Sequence, residues 1–192
     1  MHYEAKTFDI PALDGISQET IDAHLGLYAG YVKHVNLIRD KINDYLNEPE
    51  QNSYATAEMQ RRLGFEFGGM KNHEYYFSQF EGGATELPAG TLADMITTQW
   101  GSFEAWKERF TTIAKTRGVG WAMMYHDADT NQLVLTWVDE QHLGQLVDTK
   151  IVLALDMWEH SYLRDYLPSD KGQYIDAFFR NLNWETVARR VS

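Results

Sequence analysis

From Ser17 onward, apolar residues recur at steps of three and four: Ile21, Leu25, Tyr28, Val32, Val35, Ile38, Ile42 and Leu46. That period lays one apolar stripe along a helix, so the pattern predicts a helix over about 18–47, bent near Gly26 or Gly30. Acidic residues near its start and basic ones later suit the helix dipole. The stretch PEQNS (49–53) breaks it. A second helical pattern runs from about Ala55 to Gln79 through Phe65, Phe67, Met70, His73, Tyr76 and Phe77. EGGATELPAG (81–90) has the paired glycines and proline of a linker. Beyond it the chain alternates types. LADMITTQWGSFEAWKERFTTIAKT reads as two helices broken at Gly101–Ser102. GWAMMYHD and QLVLTWVD read as strands joined by the turn-like DADTN, and IVLALD as a third short strand. The tail, YIDAFFRNLNWETVARRV, reads as helical. The predicted fold is α+β: an N-terminal long α-hairpin domain (1–82), then a C-terminal α/β domain (89–192) with a small three-stranded antiparallel sheet.

Composition narrows the function classes. The chain has 192 residues, 44% hydrophobic and 14% aromatic, enough to bury a substantial core. Its net charge of -11 argues against nucleic acid or an anionic membrane surface as partner. There is no cysteine, which removes disulfides, thiolate metal sites and cysteine nucleophiles and fits a reducing compartment. The opening MHYEAKTFDIPALDG does not read as a secretory signal, and no apolar run reaches the roughly 20 residues of a membrane span. The expectation is a soluble, cytoplasmic protein.

Of seven histidines, pattern singles out three. His24 and His73 lie among apolar and aromatic neighbours, one on each long predicted helix, and a helical hairpin brings such residues to one level. His24, Tyr28 and Tyr31 are spaced i, i+4, i+7, on one helical face. His160 follows Asp156 in DMWEH, where a strand-end aspartate and a histidine just past the turn can converge. Taken singly, each has a plainer explanation: an aromatic core stripe, or an aspartate capping the next helix beside a packed histidine. Together, three imidazoles and one carboxylate make a hard-to-borderline ligand set, suited to iron or manganese and possible for zinc.

These residues carry a family resemblance. DMWEHSY (156–162) resembles the D-x-W-E-H-x-Y signature of the iron/manganese superoxide dismutases. Asn72–His73 with Tyr76 is similar to that family's N-H-x-x-Y/F element, and GSFEAWKERF, GVGWAMMY and NWETVA follow in the family's order. The resemblance covers nearly the whole chain. It implies metal ligands at His24, His73, Asp156 and His160, one iron or manganese ion per subunit, disproportionation of superoxide, and assembly as a homodimer or homotetramer. It further implies that Tyr31 gates the substrate funnel and that Trp121 and Trp158 wall the pocket. Glu159 would reach across a dimer to the partner's metal-bound histidine, with Tyr162 at the same interface.

This sequence departs from the family pattern in three places. His24 and Tyr31 are seven residues apart rather than eight, with Tyr28 where a histidine is common, which puts the usual interfacial histidine–tyrosine relay in doubt. Gly69 stands where some members place the outer-sphere glutamine, which leaves Gln141, with His142 as the alternative. Lys171 is the nearest match to a basic residue beside the funnel, where it would steer an anion. Two other classes fit the residues less well. A relative that only stores or senses metal needs no proton network of Tyr31, Glu159 and Gln141, and a zinc hydrolase needs a free general base that the sequence does not offer.

Overall fold

Burial and capping define the first helix. A computed structural model describes residues 1–191. Helix α1 spans Gln18–Tyr45, and the Ser17 side chain caps it by accepting from the Thr20 backbone N–H. Its buried stripe is Thr20, Ile21, His24, Tyr28, Val32, Val35 and Ile38. The helix continues unbroken through Gly26 and Gly30. At neither glycine does anything lie within 4 Å of where a side chain would begin, so packing supplies no reason for the predicted bend. Helix α2 spans Ser53–Ser78 and packs against α1 as a hairpin. Its inner face is mixed, with Glu66, Asn72, His73 and Glu74 buried beside Met70, Tyr76 and Phe77.

Residues 1–12 carry no helix or strand and lie as a strap against this hairpin. Tyr3 exchanges hydrogen bonds with Asn36, and the Lys6 backbone N–H donates to Tyr28 Oη at 2.9 Å. Phe8 packs on Tyr28 and Phe77.

Helix α3 (Thr91–Trp100) and helix α4 (Phe103–Ala114) break where the sequence predicts. Gly101 takes φ 85°, a conformation open to glycine, and Ser102 caps α4 by accepting from the Ala105 N–H. Strands β1 (Gly120–Asp127), β2 (Gln132–Asp139) and β3 (Thr149–Asp156) form one antiparallel sheet in the order β2-β1-β3. The third strand begins two residues before the predicted IVLALD. Register sets Trp121 of β1 opposite Asp156 of β3.

β3 is an edge strand, and its open edge is closed by side chains. Gln79, just past α2, donates from Nε2 to the Ala154 carbonyl at 2.8 Å and accepts the Ala154 N–H at 2.9 Å. That amide mimics a neighbouring strand. Arg190 donates to the Val152 carbonyl at 2.8 Å and to the Tyr75 carbonyl at 3.0 Å. The end of α2 is thereby locked to β3, two residues before Asp156.

The tail is helical, as expected, but in separate segments. Helix α5 (Lys171–Asn181) and helix α6 (Trp184–Ala188) are separated by an extended Leu182, φ -66°, ψ 131°. The reason is hydrogen bonding outside the helix. The Leu182 carbonyl accepts from Thr85 N–H, and Asn183 N–H donates to the Gln79 carbonyl. Asn183 then caps α6 by accepting from Thr186 N–H.

Candidate metal centre

Four ligand atoms converge between the hairpin and the sheet. His24 comes from α1, His73 from α2, Asp156 from the last position of β3 and His160 from the short helical turn Glu159–Ser161. Asp156 Oδ2 lies 3.2 Å from His24 Nε2, 3.2 Å from His160 Nε2 and 3.5 Å from His73 Nε2. All four atoms fall within 4.8 Å of one another. His24, His73 and Asp156 are fully buried, and the His160 side chain keeps 21% of its exposure.

Proton positions test whether a cation fits. His73 Nδ1 lies 2.6 Å from the Gly69 carbonyl. A carbonyl oxygen only accepts, so the ring's proton sits on Nδ1 and Nε2 presents a lone pair. Burial pulls the His73 imidazolium down to about 3, despite the opposing pull of Asp156, so the ring is neutral. Nε2 is buried without a hydrogen-bond partner among the described residues, and it faces Asp156 Oδ2, another acceptor. Burial alone would raise the Asp156 carboxyl, but His160 and His24 beside it hold it below the usual carboxylate range. Two acceptors aimed at one buried point call for a cation between them. Nitrogen and oxygen atoms about 2.0–2.2 Å from a shared ion stand roughly 3–3.6 Å apart when adjacent, which is the spacing seen here. The residues fit a metal ion.

The carboxylate is oriented from outside. Asp156 Oδ1 accepts the Trp158 backbone N–H at 2.8 Å, leaving Oδ2 for the histidines. Its carbonyl accepts from Tyr174 Oη at 2.9 Å and Ser161 Oγ at 3.0 Å, and Tyr174 in turn lies 3.1 Å from Tyr76 Oη.

A hydrogen-bond chain borders the cluster. Trp121 Nε1 donates to Gln141 Oε1 at 2.9 Å, and Gln141 Nε2 donates to Tyr31 Oη at 2.9 Å. The Tyr31 ring packs 5.1 Å from His73. Burial first, then Asp156 and Glu66, push its phenol well above the ordinary tyrosine value. Behind Gln141, Asn72 donates to its backbone carbonyl at 3.0 Å, Gln145 donates to Asn72, and Tyr125 donates to Gln145. His142 stands outside this chain, with its ring edge-on to Phe65 at 5.8 Å.

Other positions named from sequence fall as follows. Trp158 stacks on His160 at 5.8 Å and 19°, and Trp121 lies edge-on to His73 at 5.1 Å. Tyr28 is buried behind His24, its hydroxyl taken by the Lys6 N–H. Glu159 is exposed on the turn that carries His160. Tyr162 is buried, with no hydrogen-bond partner for its hydroxyl among the described residues. Lys171 Nζ lies 5.6 Å from the Tyr162 ring centroid, in a cleft it shares with Lys115, Arg117 and Glu159.

Sequence reasoning missed what Gly68 and Gly69 do. A Cβ on Gly69 would stand 2.5 Å from the Tyr31 ring, and one on Gly68 would stand 2.2 Å from the Gln141 carbonyl oxygen. The glycine pair lets Tyr31 and the Gln141 loop press onto α2. A double glycine inside a helix was the available signal.

Three histidines and one carboxylate, held half by a helical hairpin and half by a strand end, define a metalloprotein with no thiolate ligand. Comparison gives the family. Residues 88–190 match the description "Iron/manganese superoxide dismutases, C-terminal domain". An iron superoxide dismutase of Pyrobaculum aerophilum is 32% identical over 171 residues, covering 88% of this chain and 80% of the relative. A manganese superoxide dismutase of Haloferax volcanii is 33% identical over 176 residues, covering 91% and 86%. A manganese/iron superoxide dismutase of Aeropyrum pernix is 31% identical over 166 residues, covering 84% and 75%. The chain belongs to the iron/manganese superoxide dismutase family.

Proposed function

We propose that this chain is a superoxide dismutase whose site is built by His24, His73, Asp156 and His160 around one iron or manganese ion. Two superoxide anions and two protons give one dioxygen and one hydrogen peroxide. The observation that carries the reading is the His73 Nε2 lone pair facing Asp156 Oδ2 at 3.5 Å in a fully buried pocket. Bound there, iron or manganese supplies one-electron exchange between its trivalent and divalent states.

The chain's own part is proton supply and orientation. An indole N–H can only donate, so Trp121 fixes the Gln141 amide with Oε1 toward itself and Nε2 toward Tyr31. With Tyr31 Oη accepting from Gln141, its O–H is free to donate into the pocket beside His73. The raised phenol holds its proton at neutral pH and gives it up only to a strong base such as reduced dioxygen. Tyr31 is half-buried, so solvent can return the proton. Trp158, Trp121 and Phe77 around the histidines keep competing water out.

The same proposal divides the chain into a hairpin domain, 1–82, and an α/β domain, 89–192, each giving two ligands. It includes a homodimer. The groove formed by Ala23, Leu27, Glu159, His160, Leu163 and Arg164, with Leu27 and Leu163 more than two-fifths exposed, supports a second copy beside His160. Cytoplasmic placement belongs to the proposal as well, supported by a cysteine-free chain. No helix of the described residues is long and apolar enough to cross a membrane.

His73→Ala tests the reading. Loss of superoxide decay together with loss of bound metal is expected; full activity in that variant would sink it.

A further inference from the structure

On the solvent side of Tyr31, α2 presents Arg62, Phe65 and Glu66, spaced i, i+3 and i+4 and therefore neighbours on one helical face. The Arg62 guanidinium carbon lies 3.8 Å from the Phe65 ring centroid. Its Nε and Nη2 both reach Glu66 Oε1, at 2.9 and 2.8 Å. Glu66 is only 5% exposed, while about half of the Arg62 side chain is open to solvent. Phe65 packs 6.1 Å from the Tyr31 ring and 6.3 Å from Trp158. A cation is therefore stacked on the aromatic lip that joins Tyr31 to the Trp158 wall.

The arrangement is fixed for physical reasons. A buried carboxylate needs a partner, and Glu66 has Arg62 on Oε1 with His34 Nδ1 at 3.7 Å from Oε2. A guanidinium has five N–H donors. Those on Nη1 have no partner among the described residues and lie on the side of the group opposite the buried acid. Stacking on Phe65 holds the plane of the group, so the remaining donors are presented without the freedom of an ordinary surface arginine.

We infer that Arg62 is the anion-capture residue at the entrance to the Tyr31 pocket, positioned by Glu66 and Phe65, and that it draws the superoxide anion toward the site. This rests on the dismutase reading above. It also differs from steering by Lys171, which stands over Tyr162 in the cleft beside Glu159, whereas Arg62 stacks on the ring that packs on Tyr31. On a chain of net charge -11, a placed local cation matters more to an incoming anion than the overall field, because bulk salt screens the latter.

Stopped-flow superoxide decay on the metal-loaded protein, measured across ionic strength, tests it with Arg62→Gln, Arg62→Lys and Lys171→Gln. Arg62→Gln is expected to lower the low-salt kcat/KM roughly threefold and to flatten its decline with salt. Its kcat and metal content should match wild type. Arg62→Lys should recover most of both effects, and Lys171→Gln should change them less than Arg62→Gln does. The inference is overturned if Arg62→Gln keeps the wild-type rate and salt slope. It is equally overturned if Arg62→Lys falls as far as Arg62→Gln, because packing rather than charge would then be the cause. A metal-loaded wild type that does not consume superoxide would overturn the dismutase reading and this inference with it; an active wild type with unaffected Arg62 variants overturns this inference alone.

Discussion

Gly69→Ala adds one methyl group to α2 and is expected to disable proton supply without emptying the metal site. The new Cβ would stand 2.5, 2.6 and 2.9 Å from Cδ1, Cε1 and Cγ of Tyr31. Carbon atoms pack at about 3.5–4.0 Å, so the ring must recede by about 1 Å. Gln141 Nε2 now sits 2.9 Å from Tyr31 Oη, and an N–H···O bond is largely spent beyond about 3.2 Å. The recoil therefore opens that bond. Overpacking costs about 1–3 kcal/mol, offset by about 1 kcal/mol from replacing glycine within a helix, for a net loss of about 0–2 kcal/mol. A misplacement near 1 Å at a reacting group can cost about 100-fold, and kcat is expected to fall by that order. Metal content should hold, because the contact from His73 Nδ1 is to the Gly69 backbone carbonyl. The assay is stopped-flow superoxide decay paired with elemental analysis and thermal melting. A variant that turns over like wild type, or one that loses activity only in step with lost metal, would show that the Gln141–Tyr31 contact does not limit proton supply. Gly68→Ala should destabilise more than Gly69→Ala, because its clash, at 2.2 Å, is with the Gln141 backbone rather than a side chain.

Trp121→Phe removes the indole donor to Gln141 Oε1 and frees the amide to turn; turnover should drop roughly 10-fold with metal retained, and an unchanged rate would contradict the fixed-amide account. Gln79→Leu strips two hydrogen bonds from the buried edge of β3. A stability loss of about 2–4 kcal/mol is expected by denaturant titration, and a change below about 1 kcal/mol would mean that edge is closed in another way. Leu163→Asp puts a charge in the apolar groove beside His160 and should shift the protein to monomer in light scattering, whereas an unchanged mass would argue against that face as the dimer contact.

The long helices were legible because each buries a stripe at helical spacing, and the break at Gly101–Ser102 because glycine and serine have distinct conformational and capping roles. The strand order is not written in periodicity: all three strands are apolar, and only hydrogen-bond register puts Trp121 opposite Asp156. The four members of the buried cluster were readable from DMWEH and from two histidines in aromatic surroundings. Its supports were harder to see. Gln79 and Arg190 look like ordinary polar residues near a helix end and a chain end, yet they close an edge strand across 75 and 38 residues of sequence. The tail read as helical because YIDAFFRNLNWETVARRV has helical spacing. The interruption at Leu182 comes from partners in residues 79 and 85, which no local pattern contains. Tyr28 stands where a histidine is common in the family, and its hydroxyl accepts from the strap's Lys6 N–H, a partner distant in sequence that no local pattern shows.

Whether the four-residue cluster is a redox metal site is decided by titrating metal-free protein separately with iron and with manganese and following superoxide decay at each bound-metal ratio. Activity is expected to rise linearly and to stop rising at one ion per chain for at least one of the two metals. Asp156→Asn should bind neither tightly. Metal bound at that ratio with no superoxide consumption under either loading, or undiminished activity in Asp156→Asn, would contradict a redox metal site there.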